Sequence, residues 1–178
     1  MLISQSLQQF YKENNLKDDG GENDAFFELK FKLFTLKLPN SKFRKDLIHV
    51  HDIQHVLYNC DISWKGEAFI AGWEISTGLW KRLPVGIMSL WAMGFSLLNN
   101  PKQVLKGYKT GINAIGIIDL KKTKKELLNL SVQELKELIT VKKTKKMNWF
   151  SFLFWGMLSQ LIFLFPFLFL IALGMVLY

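Results

Sequence analysis

The chain has 178 residues, with 23 lysines and arginines against 15 aspartates and glutamates and a formal net charge of +8. That length allows one modest domain plus an appendage, and a single cysteine excludes an intramolecular disulfide. The positive excess sits in two runs, 121–125 and 142–146, without a recognition-helix or strand-binding pattern, so nucleic acid is excluded as a partner and attraction to a membrane surface remains.

The first 15 residues are polar and lack a signal-peptide core. A short opening helix followed by a polar, Gly-containing loop makes 1–24 a flexible N-terminal segment. From Ala25 to Leu38 apolar and charged residues alternate, as in Phe27-Glu28-Leu29-Lys30, a pattern that suits a strand as well as a helix before Pro39-Asn40-Ser41 breaks it. Helices are expected over Phe43–Leu57 and Gly66–Trp80, with the turn-forming Asn59-Cys60-Asp61-Ile62-Ser63 between them.

Leu83 to Leu98 carries no charge but is short for a membrane span. Its small residues set among Met and Trp leave room for an apolar guest or a close neighbouring helix. Leu83, Ile87, Leu90, Trp91 and Gly94 are therefore candidates to line a lipid cavity, on composition alone. A further helix is expected over Pro101–Ile118. Ser131 with Glu134 three residues on forms a capping box at the start of another. The expected class is all-α: a compact multi-helix domain over 25–141, a basic linker over 142–146, and a C-terminal transmembrane helix over 147–178.

That last stretch contains no charged residue. As a helix it is ~48 Å long, more than the ~30 Å hydrocarbon core requires. One span kinked at Pro166 fits, whereas a hairpin turning at Pro166 leaves each arm too short to cross. The lysines of 142–146 precede the span, which places the main domain on the cytoplasmic or equivalent face.

All three histidines, His49, His51 and His55, fall in one short segment. His51 and His55 are four residues apart and share a helix face, with Asp52 between them around the axis. Two imidazoles and a carboxylate form a metal-ligand set with room for water or substrate. Asp52 is a direct ligand, an orienting group for an imidazole, or a base acting on bound water. Glu67 reaches the same ion only if the chain reverses at 59–63. His49 is out of phase. Cys60 reads as a buried inert thiol, with a thiolate ligand as the alternative.

His51-Asp52-x-x-His55, then eleven residues, then Glu67, resembles the H-D-x-x-H-x11-E signature of the ubiquinone (coenzyme Q) biosynthesis family called coenzyme Q four. His55-Val56-Leu57 and Gly66-Glu67-Ala68 are similar to its H-V-L and G-E-A steps. Gly107-Tyr108-x-x-Gly111-x-x-Ala114 with Ile118-Asp119-Leu120 resembles its late tyrosine–glycine–alanine helix, and 127–136 its terminal segment. The resemblance runs from about Phe43 to Val141.

It implies a helical domain that binds a divalent metal, usually zinc, through His51, Asp52, His55 and Glu67, and takes a polyprenyl quinone intermediate into an apolar cavity. It also implies a role in oxidative decarboxylation of the head group, with Asp52 or Glu67 moving a proton, or a non-catalytic scaffold for other quinone-biosynthesis proteins. A homodimer is left open. The C-terminal span and the N-terminal region depart from the family pattern. Phosphohydrolases of the H-D class need an upstream histidine that His49 is too near to supply.

Overall fold

A computed structural model of the chain describes residues 1–31, 33–142 and 144–177. Lys32, Lys143 and Tyr178 lie outside the described residues, and with them one position each of the 25–38 segment, the basic run and the tail. In chain order the elements are α1 (Ile3–Glu13), the strands β1 (Phe26–Lys30) and β2 (Thr35–Pro39), α2 (Lys42–Tyr58), α3 (Trp64–Thr77), a 3₁₀ turn (Leu79–Lys81), α4 (Val85–Asn99), α5 (Pro101–Gly111), a second 3₁₀ turn (Ile117–Leu120), α6 (Lys124–Leu128), α7 (Val132–Ile139) and α8 (Trp149–Leu177). The fold is all-α apart from one small antiparallel hairpin.

The ambiguous 25–38 segment is that hairpin, with Leu29 paired to Leu36 and Phe27 to Leu38. The helix expected over Pro101–Ile118 stops at Gly111. Beyond it, Ile115 N–H donates to the Ile139 carbonyl (2.7 Å) and Val141 N–H to that of Asn113 (3.0 Å), so the backbone leaves the helix for a strand-like exchange. The chain forms two compact units: one comprises Met1–Asn59 with Leu120–Leu138, the other Cys60–Asp119 with Ile139–Tyr178.

In the first unit α1 is amphipathic and buries Ile3, Leu7, Phe10 and Tyr11, spaced for one helix face. Each such side chain contributes roughly 1.5–3 kcal/mol on burial. Residues 1–24, expected to be flexible, thus contain a docked helix. Its start is pinned by Ile3 N–H to Leu130 O (2.8 Å) and Val132 N–H to Met1 O (3.1 Å). The Ser131 capping box is present: Ser131 N–H donates to Glu134 Oε2 at 2.7 Å, and Glu134 N–H to Ser131 Oγ at 3.1 Å. A second box at Thr123 and Glu126 opens α6.

In the second unit α3 is central, burying Ala68, Phe69, Ile70, Ala71, Trp73 and Ile75 on nearly all sides. It lies against α5 so closely that a Cβ on Gly107 would meet the Phe69 carbonyl oxygen at 1.9 Å. That approach explains the glycine in the Gly107-Tyr108 step. Buried Glu74 of α3 accepts a hydrogen bond from Ser89 Oγ of α4 at 2.6 Å. The 27-residue apolar stretch Trp149–Met175 of α8 is long and apolar enough to cross a membrane, and little of it is covered by protein. Because α8 is one continuous helix through Pro166, the hairpin alternative is not adopted.

Candidate metal centre

Local sequence builds the site. α2 carries both histidines in its last two turns and ends at Asn59, whose left-handed backbone (φ 50°) lets its N–H cap the carbonyl of His55. Asp61 Oδ1 then accepts from Ser63 N–H (3.1 Å), and Ser63 Oγ accepts from Gly66 N–H, which starts α3 with Glu67 in its first turn. A Cβ on Gly66 would fall 2.0 Å from the Asp61 carbonyl oxygen, so only glycine permits this tight entry immediately before Glu67.

His51, His55 and Glu67 each offer a ligand atom, and the three atoms lie within 4.8 Å of one another. The two histidine Nε2 atoms are 3.2 Å apart. At metal–nitrogen distances of about 2.0–2.1 Å, two imidazole nitrogens on a tetrahedral ion stand ~3.3 Å apart. The separation of the pair matches that of two ligands on one ion, and two imidazoles with one carboxylate suit a divalent cation of the zinc type. In the absence of an ion the same distance accommodates a single N–H···N hydrogen bond, which the ion would replace. This group can hold a metal ion.

Burial is graded across the group. His55 is buried, whereas His51 and Glu67 are half-buried. Phe10 of α1 stacks on His55 with ring centroids 5.5 Å apart and planes 28° apart. That contact fixes the imidazole and excludes water from its face.

Asp52 takes a different environment from the three. It is buried, and its Oδ2 accepts a hydrogen bond from the Tyr11 hydroxyl at 2.9 Å. Burial, and after it the Asp52 carboxylate, push the Tyr11 hydroxyl well above its ordinary range, so it keeps its proton and remains the donor. Phe10 and Tyr11 were not recognised as site residues from sequence. Their signal was the apolar stripe of α1, hidden within a segment read as flexible.

His49 stands apart from the group. Burial, then the Lys124 ammonium, hold it below the ordinary histidine range, and its buried Nδ1 has no hydrogen-bond partner among the described residues. Burial, then Asp61, push the Cys60 thiol up to about 11, which keeps it protonated and a poor ligand.

The five residues proposed to line a lipid cavity divide among three surroundings. Leu83 and Ile87 face outward, at 71% and 48% exposure. Leu90 belongs to the core cluster with Ala71, Ile75 and Met93. Trp91 lies by Phe163 of α8 (5.3 Å), and Gly94 is pressed against the α8 backbone. No family model, curated protein or solved structure matches this chain.

Proposed function

We propose that this is a membrane-anchored, metal-binding protein of quinone biosynthesis that acts on a prenylated aromatic acid. The convergence of the His51 and His55 Nε2 atoms at 3.2 Å, with Glu67 close by, is the observation that carries the reading. The H-D-x-x-H-x11-E resemblance supplies the substrate class, and the apolar α8 preceded by lysines supports an anchor with the main domain on the cytoplasmic or equivalent face.

His51, His55 and Glu67 would hold a divalent ion, zinc by the resemblance. Bound there, it would act as a Lewis acid towards a ring carboxylate or a neighbouring oxygen. The chain itself contributes positioning. Phe10 stacks on His55 and holds it in place. Glu67, half-buried where Asp52 is buried, is the candidate to move a proton. Anchoring keeps the prenyl tail in lipid, whose removal to water would cost ~0.8 kcal/mol per CH₂.

A scaffold that presents quinone intermediates to other enzymes is the second reading. One observation favours it: Asp52, the other carboxylate of the motif, directs Oδ2 at Tyr11 and not at an open surface. Deleting the gene and identifying the accumulated lipid by mass spectrometry tests the function. A carboxylated prenyl-aromatic supports decarboxylation, and an unchanged quinone pool refutes a role in the pathway. Complementation by folded His55→Ala, lacking metal, would select the scaffold.

A further inference from the structure

α4 has 15 residues, no charge and a substantial outward apolar face: Leu83 just before it, then Ile87, Met88 and Leu98, are all exposed. Such a face is costly in water and needs a cover. α8 fixes what that cover is. Gln160 Nε2 of α8 donates to the Gly94 carbonyl at 2.7 Å. A Cβ on Gly94 would meet the Ser159 carbonyl oxygen at 2.3 Å, so the two backbones touch there. Phe163 lies against Trp91 and Phe95, at 5.3 and 5.7 Å between centroids. Close backbone approach at small residues, closed by a polar side chain on a carbonyl, is how helices associate inside lipid.

Depth then follows from arithmetic. Crossing the hydrocarbon takes about 20 residues. Every window of that length within Trp149–Met175 contains residues 156–168, and so contains Ser159, Gln160 and Phe163. Wherever α8 sits, its α4 contacts are at hydrocarbon depth. Resting on the reading of α8 as a span, we propose that α4 is a second membrane-embedded element, with Ile87, Met88 and Leu98 against the acyl chains of the bilayer. At ~1.5 Å per residue α4 is ~22 Å long, too short to cross, so it is half-inserted between Lys81-Arg82 and Lys102 at the headgroups. Its first turn is prepared for lipid: Gly86 N–H donates to Arg82 O at 2.8 Å and Ile87 N–H to Pro84 O at 3.0 Å.

The test uses the full chain with Cys60→Ser, in phosphatidylcholine–phosphatidylglycerol vesicles, carrying one new cysteine at a time: Met88→Cys on α4, Phe165→Cys on α8, or Gln133→Cys on α7. All three replaced side chains are exposed, so folding is retained. Reaction with a membrane-impermeant maleimide and, for a fluorophore attached in detergent, quenching by spin-labelled lipid are read at each site. The proposal expects Met88→Cys to behave as Phe165→Cys, with labelling lost and lipid quenching gained, while Gln133→Cys reacts freely. A reactive Met88→Cys beside a protected Phe165→Cys overturns the embedding of α4 and leaves the anchor intact. Reactivity at both sites overturns the anchor itself, and the proposal with it.

Discussion

The Tyr11 hydroxyl donates a hydrogen bond to Asp52 Oδ2 at 2.9 Å, joining α1 to the helix that carries both histidines. The two residues are 41 positions apart in sequence, and both are buried. A carboxylate buried beside two imidazoles is held by a phenol from a helix with no recognisable motif.

Replacing Tyr11 with phenylalanine removes one hydrogen-bond donor from a buried carboxylate. Such a loss destabilises by roughly 1–3 kcal/mol. Denaturant unfolding in detergent should show a lower midpoint at unchanged slope. An unchanged midpoint would show that the bond contributes nothing.

The same hydroxyl gives a pH dependence with a definite sign. Its folded-state pKa is raised by burial and by Asp52, so above about pH 10 the unfolded chain releases this proton first. Stability from this group is complete below the unfolded value and is lost as pH rises past it. Wild type should therefore weaken more steeply than Tyr11→Phe between neutral pH and pH values above that of an ordinary tyrosine. Parallel profiles would contradict the assignment.

Gly66→Ala places a methyl 2.0 Å from the Asp61 carbonyl oxygen. Relieving that overlap must shift the start of α3, and Glu67 with it. Overpacking of this kind costs roughly 1–3 kcal/mol. Thermal unfolding should register the loss, and metal affinity should fall further than in Lys65→Ala, an exposed neighbour. Equal affinity in the two variants would show that Glu67 does not depend on this turn.

Much of this arrangement is legible in the sequence because it is local. The His51–His55 pair, the reversal over 59–63, the Ser131 capping box and the charge-free tail each depend on spacing within a few residues, which backbone periodicity fixes. What failed to show is non-local. Nothing around Tyr11 announces a partner at Asp52, and a polar, glycine-bearing loop after α1 disguised a docked helix as a flexible one. The 25–38 alternation fits two periods, and only strand pairing decides between them. Small residues such as Gly94 signal space for a guest or for a neighbouring helix alike, and α8 lies against Gly94.

Gln160→Leu keeps the volume of the side chain approximately and deletes its hydrogen bond to the Gly94 carbonyl. The expected loss is about 0.5–1.5 kcal/mol. Gly94→Leu should cost more, since it drives the two backbones apart. Protease susceptibility of the 142–148 linker in detergent reads both, with Gly94→Leu cleaved fastest. The reverse order would contradict close packing at Gly94.

Metal content of untagged protein, purified without chelators and measured by mass spectrometry of the elements, addresses the centre itself. Wild type should carry roughly one divalent ion per chain, and His55→Ala and Glu67→Gln should each lose it while their far-UV circular dichroism stays helical. Full occupancy in both folded variants would contradict a centre built on these residues.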